Sequence, residues 1–187
     1  MKKIIFLLFA LPLLSMAQQQ TKVYNLQPAK QLIGWTGYGE VGSYSLSGVL
    51  KLKSGRFDYD GKTLSKGIFV FDMNSISHEN ETLVKHLKDE DFFYVKKYPV
   101  AEFQLSAVKN GKASGYVIIR NIKKPIEFPV SIVENAVKQL VIKGTLRIDR
   151  TQFEIYYNSN SFFQNLGSNA IKNEFDLKFE LIAVAGS

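Results

Sequence analysis

The pattern that most restricts this chain is a period of two. Ile171, Phe175, Leu177, Phe179, Leu181 and Ala183 alternate with Lys172, Glu174, Asp176, Lys178 and Glu180. Only an extended backbone sends every second side chain to the same face, so this stretch is a strand with one apolar and one charged face. The alternation recurs through Leu46, Gly48, Leu50 and Leu52, and again through Ala101, Phe103, Leu105 and Ala107. It continues through Ala113, Gly115, Val117 and Ile119, through Ile126, Phe128, Val130 and Ile132, and through Leu140, Ile142, Gly144, Leu146 and Ile148. Lys22–Leu26 and Leu32–Tyr38 read as shorter strands separated by Pro28. Leu64–Met73 is apolar on both faces, with Ile68 and Val70 against Phe69, Phe71 and Met73, which predicts a strand covered on both sides.

The spaces between these runs are short. Asp60-Gly61 and Asn110-Gly111 are hairpin signals. Lys123-Lys124-Pro125 reads as a turn, Asn135–Lys138 as a loop, and Pro129 as an edge or bulged position. Eight to ten strands joined mostly by hairpins predict an all-β fold, either a sandwich or a closed antiparallel up-and-down barrel of about eight strands. A barrel of that size has an interior just wide enough for side chains or one small ligand. Several inward positions are small (Gly48, Ala101, Ala107, Ala113, Gly115, Gly144), which favours a hollow interior.

One stretch is helical. It is read over 81–94, and in its first half the apolar residues Leu83, Val84 and Leu87 fall at helical spacing, while Lys85, Lys88 and Asp89 face water. Asn80 is placed to cap the start, and Asp89 or Asp91 to cap a further turn. Tyr98-Pro99 ends the run, because the residue before proline is driven toward extended conformations. The helix and the aromatics Phe92, Phe93 and Tyr94 need a surface to cover, and Ile68–Met73 is the expected one. Phe92 and Phe93 are adjacent, so one is expected to face an interior cavity and the other the helix contact.

Composition removes most enzymatic classes. The chain has no cysteine and two histidines, His78 and His86. Thiolate zinc sites, Cys/His nucleophile pairs and three-His sites are excluded by count. No G-x-S-x-G, H-E-x-x-H or Walker-type loop occurs. Asp72 and Asp91 lie on different elements and make no convincing acid–base pair. Lys2-Lys3, the apolar run Ile4–Leu14 and the small-x-small step Ser15-Met16-Ala17 read as a secretory signal peptide over residues 1–17, cleaved near Ala17. Its apolar run is shorter than the roughly 20 residues that a membrane span needs. Residues 18–187 then form a single domain, periplasmic or secreted, held without disulfides. Removing the leader takes two of the 24 basic residues and leaves 22 against 17 acidic, a net of +5. This excess is spread out and does not make a nucleic-acid footprint.

A spaced series runs through Asp72, Ser75-Ile76, His86-Leu87, Asp91-Phe92-Phe93, Tyr98-Pro99 and Phe103. It goes on through Gly115–Ile119, Lys124–Val130 and Asp149-Arg150-Thr151-Gln152-Phe153. In these residues, over nearly the whole length after the leader, the chain resembles the YceI-like exported proteins. The chain departs from that pattern in lacking an obvious charged residue of the kind that often precedes the helix, and at two further positions. Asn121 stands where a turn glycine is common, and asparagine tolerates the left-handed region, so the hairpin is expected to persist. Glu154 stands where glycine usually follows Phe153, which leaves the local path open.

The resemblance implies a lipocalin-like barrel with an internal tunnel. It implies a non-enzymatic carrier or binding protein for a long isoprenoid-type lipid, prenyl phosphate or quinone-like, in the periplasm. No cofactor is expected other than such a bound lipid or quinone. The partner is then the isoprenoid lipid and not nucleic acid, while transient contact with a membrane surface and a homodimer stay open. The candidate ligand-facing residues are Trp35, Phe69, Phe71, Leu87, Phe92, Phe93 and Tyr98, then Phe103, Phe128, Leu146, Phe175 and Phe179. His86 and Arg150 are polar candidates for a head group, with Asp149 or Asp91 as alternative partners for Arg150. The competing reading is a filled barrel acting as a non-catalytic envelope stress or assembly interaction module.

Overall fold

The computed structural model describes residues 20–28 and 31–186. The signal segment read at 1–17 lies outside the described residues. Among them, nine strands and one α-helix follow in order: β1 Lys22–Leu26, β2 Leu32–Gly39, β3 Ser45–Tyr59, β4 Leu64–Ser77, α1 Glu81–Lys88, β5 Val100–Lys109, β6 Lys112–Ile119, β7 Ile122–Glu134, β8 Leu140–Asp149 and β9 Ile171–Ala185. From β2 onward every strand pairs antiparallel with the next in sequence, β2 also pairs with β9, and so the sheet closes. β1 and β2 share one place in the ring. β1 pairs with Arg56–Tyr59 of β3 and Ala183–Ala185 of β9, while β2 pairs with the opposite halves of the same two strands. Nine strands therefore fill eight positions of an up-and-down barrel, with Pro28 near the interruption.

The two ends of the barrel differ. At one end the connections are tight: Asp60–Thr63, Asn110-Gly111 and Asn135–Gln139. At the other end lie the β2–β3 connection, α1 with the turns up to Pro99, the β6–β7 turn, and the long β8–β9 connection. In the β6–β7 turn Arg120 and Asn121 both take the left-handed region (φ 51° and 61°), so Asn121 keeps the hairpin as expected. Lys123-Lys124-Pro125 is not a turn, because the chain has already reversed and these residues belong to β7. Pro129 behaves as an edge position: β7 pairs with β8 only from Val130 to Glu134, so Pro125 and Pro129 fall where β7 has a single neighbour.

Two face assignments change. A bulge between Leu105 and Ala107 flips the end of β5, so Val108 rather than Ala107 points inward. On β4, Ile68 is 39% exposed on the outside of the barrel. The helix therefore does not cover the outer face of β4. It packs against β4 but turns Leu83 and Leu87 toward the barrel interior. Asn80 caps it, its Oδ1 accepting from the Leu83 N–H at 3.1 Å.

The open question at Glu154 is answered by its backbone. It ends a 3-10 turn over Arg150–Phe153 with φ 61°, so the glycine-type conformation is kept without glycine. A non-glycine residue there costs roughly 1–2 kcal/mol, part of which glycine gives back through the entropy of the unfolded chain. Glu154→Gly is expected to stabilise the protein by about 0.5–1 kcal/mol. A urea-unfolding midpoint unchanged or lowered in the variant contradicts that account.

Candidate functional site

The barrel is hollow. A cavity of about 390 Å³ runs from the helix-capped end down the axis. On β9 its wall extends from Ile171 to Leu181, 10 residues apart in sequence. At about 3.3 Å per residue and a tilt of about 40°, that is about 25 Å along the axis. Below it the hairpin end is closed by buried side chains. Tyr24 stacks on Phe57 at 5.7 Å, Tyr59 meets Tyr24 edge-on at 5.7 Å, and Leu140 is fully buried.

The wall is rich in aromatic rings, yet it leaves a void. Phe57, Phe69, Phe103, Phe128 and Phe179 follow one another with ring centroids 6.2, 5.8, 5.3 and 6.0 Å apart. Several rings lie against glycines. A Cβ on Gly144 would stand 2.7 Å from Phe179 Cζ, one on Gly67 2.8 Å from the Phe69 ring, and one on Gly48 2.6 Å from the Trp35 ring. The small inward residues read from the sequence thus create room indirectly. Each glycine lets a ring lie flat on the wall instead of projecting into the lumen. A barrel filled by its own side chains is not what this chain builds.

The structure brings most of the sequence-derived candidates to this lumen. Trp35, Phe69, Phe71, Leu87, Phe103 and Phe128 line it, as do Leu146, Phe175 and Phe179. Phe92 and Phe93 both line it, contrary to the expectation that they would part. That expectation assumed helix or extended chain. Residues 90–94 instead form turns, with the Phe93 N–H bonded to Leu87 O at 3.1 Å and Tyr94 left-handed at φ 47°. Two candidates lie elsewhere. Tyr98 packs outside against Tyr94 and lies under the Arg120 guanidinium. His86 sits behind the lid, 5.4 Å from Phe92 and 4.3 Å from Tyr157 between ring centroids. Its buried Nε2 has no hydrogen-bond partner among the described residues, so ring packing joins α1 to the β8–β9 connection there.

Arg150 is the one buried cation of the lining, 3% exposed. Neither Asp149 nor Asp91 pairs with it. Asp149 instead accepts from the N–H and Oγ1 of Thr151. The guanidinium donates to three carbonyls: Nε to Lys172 O at 3.1 Å, one terminal nitrogen to Ile155 O at 2.8 Å, the other to Ile171 O at 3.1 Å. Phe92 lies 5.6 Å below it. Burial lowers its pKa to about 10, so it is still charged at neutral pH. Three of its five N–H groups are engaged in this way.

The mouth was not legible in the sequence. It lies between Tyr44 of the β2–β3 connection and Ser168, Asn169 and Lys172, all exposed lining residues. Tyr38 borders it and donates to Asp176, which also accepts two hydrogen bonds from Arg147 at 2.8 and 2.9 Å. The hydrogen bonds from Arg147, chiefly, hold the Asp176 carboxyl below its ordinary range. Residues 154–170 have no periodicity from which their place could have been read.

A closed antiparallel barrel with a helical lid and an apolar lumen defines a lipocalin-like architecture. A family model for the YceI-like domain matches residues 24–183, and the chain belongs to that family. Its fold is similar to Burkholderia cenocepacia BcnA, with a TM-score of 0.69 and 20% identity over 85% of this chain and 99% of that one. It is similar also to a polyisoprenoid-binding domain from Saccharophagus degradans implicated in plant cell wall breakdown, at 0.65 and 12% over 87% and 98%. The Campylobacter jejuni YceI protein gives 0.54 and 16% over 100% and 99%. No curated protein matches the chain.

Arg150→Met leaves three carbonyls without their donor beneath the lid. It is expected to cost about 2–4 kcal/mol in chemical denaturation. A loss below the scatter of ordinary surface substitutions contradicts the role given to Arg150.

Proposed function

We propose that the protein is an exported carrier or binding protein for one long apolar lipid of isoprenoid type, prenyl phosphate or quinone-like, held in the barrel. The observation that carries this is the shape and chemistry of the lumen: elongated, apolar, closed at the hairpin end, with a single buried cation near the open end. The polyisoprenoid-binding domain that shares the fold supports the same reading. Affinity then comes from apolar area removed from water, roughly 25 cal/mol per Å² before ordering costs. The tail lies toward Tyr24 and Phe57. The head group, bearing carbonyl or phosphate oxygens, lies near Arg150, whose remaining N–H groups can donate. Apart from Arg150 and a few charged or polar residues, Glu102, Lys172 and Glu174 among them, the lining is apolar and suits no polar cargo.

Organic extraction of protein purified from its native cells, followed by mass spectrometry, tests this. A prenyl lipid or quinone is expected at near one per barrel. Leu177→Trp, which fills the middle of the wall, is expected to lower that occupancy about tenfold with an unchanged far-ultraviolet spectrum. A wild-type protein that carries no such lipid and binds none when offered defeats the proposal. Export is proposed from the leader, and the mature N-terminus is then expected at Gln18. An intact N-terminus on protein recovered from outside the cytoplasm argues against cleavage there.

A further inference from the structure

The rim of the mouth carries both exposed phenylalanines among the described residues. Val41 and Tyr44 of the β2–β3 connection are 62% and 63% exposed, and Phe162 and Phe163 of the β8–β9 connection are 52% and 49% exposed. All four stand at the open end of the barrel. The two connections are joined by a hydrogen bond from the Glu40 N–H to Ala170 O at 2.9 Å. The β8–β9 connection holds most of the longest uncharged run among the described residues, 155–171 with 17 residues, and the β2–β3 connection opens the next, 41–50, which continues into β3, in a chain of which 22% is charged.

The phenylalanines are held outward by a built turn. The Phe162 and Phe163 N–H groups both donate to Ser159 O, at 3.0 and 2.9 Å. Ser159 is fully buried, and its Oγ donates to Asn173 Oδ1 of β9 at 2.6 Å. Asn173 in turn donates to Ser161 Oγ at 2.8 Å. Phe162 also packs on Tyr156, the rings tilted with centroids 4.1 Å apart. Exposing two adjacent phenyl rings on a hydrogen-bonded base costs solvation that a buried placement would avoid. Such a pair has a surface to meet.

We infer that this rim docks on a lipid bilayer surface, inserting Val41, Tyr44, Phe162 and Phe163 so that the mouth opens onto the membrane. The inference rests on the proposal that the lumen carries lipid, because only an apolar cargo gains from leaving the bilayer without crossing water. The chemistry of the rim favours a bilayer over a protein partner. Aromatic rings interleaved with Asn, Ser and Gln suit the head-group boundary. The exposed rings sit in stretches without charge, 41–44 and 155–171, with Glu40 and Lys172 only at their margins; such stretches offer a protein partner little to fix its register, whereas a fluid surface needs none. Attachment is therefore by apolar insertion and not by the basic excess of the chain.

Flotation with phosphatidylcholine vesicles, and with vesicles containing anionic lipid, tests this at low and high salt. Wild-type protein is expected to float with both and to keep its binding at high salt, since insertion is not screened. The triple variant V41S/F162S/F163S, whose three positions lie outside the lumen wall, is expected to lose about tenfold or more of that partition. It should still take up prenyl lipid from detergent micelles. A wild type that floats with neither vesicle overturns the inference, as does binding confined to anionic vesicles and abolished by salt. A triple variant that floats as well as wild type overturns it too. So does one that loses self-association in light scattering while vesicle binding persists, because the rim is then a protein interface. The carrier reading fails separately, through an empty extract and no micellar uptake whatever the vesicles show.

Discussion

The closed ladder of backbone hydrogen bonds is the constraint on which this structure rests. The axis of the barrel is largely void, so the interior does not supply the dense packing that holds most domains. No disulfide is available to compensate, because the chain has no cysteine. What remains is a wall in which every strand has a partner on both sides, with one gap: residues 122–129 of β7 pair with β6 alone, and Pro125 and Pro129 blunt that free edge. The interruption near Pro28 threatens that wall. It is tolerated because β1 and β2 take over from one another against the same two neighbours, β3 and β9. Apolar packing is moved from the axis to the wall and the closed end, where phenyl rings lie on glycines and Tyr24, Phe57 and Leu140 fill the bottom.

Above the void, stability and access meet in one residue. The β8–β9 connection would be a slack loop over a hole if nothing held it. Arg150 joins its two ends by binding Ile155 O on one side and Ile171 O and Lys172 O on the other. The guanidinium also faces Phe92 of the lid. Arg120 adds a second tie, donating to Phe92 O and Glu154 O at 3.2 and 2.8 Å. Lid and loop are thus braced from two sides by cations that use carbonyls rather than carboxylates. Neither guanidinium pairs with a carboxylate among the described residues.

The barrel was legible in the sequence because half-buried strands advertise themselves at a period of two. Leu146, Phe175 and Phe179 reach the lumen by that rule alone. The rule failed where the backbone departs from regularity. Val108 replaced Ala107 because one bulged residue reverses the face, and bulges carry no residue signature here. Phe92 and Phe93 share a direction because turns, not helix, carry them. β4 looked doubly covered because Ile68 and Val70 are apolar, yet an outer wall tolerates such residues singly. His86 and Tyr98 belong to the recognisable series around the helix, but membership of a series says nothing of which side of a lid a ring takes. The mouth was invisible because its residues come from two loops 124 apart in sequence at Tyr44 and Ser168, and only barrel closure brings them together.

The stacked rings at the hairpin end have a consequence of their own. With Tyr24, Phe57 and Tyr59 packed across it, the lumen is a vessel and not a conduit. Traffic through a vessel is exchange. An occupant must back out by the path it took, and a newcomer waits until the space is free. Orientation is then inherited from entry, since a chain about as long as the shaft has no room to turn around. For the lipid proposed above, residence time would then follow how often the lid and the loop beneath it yield, with the strands as the fixed sleeve around that event.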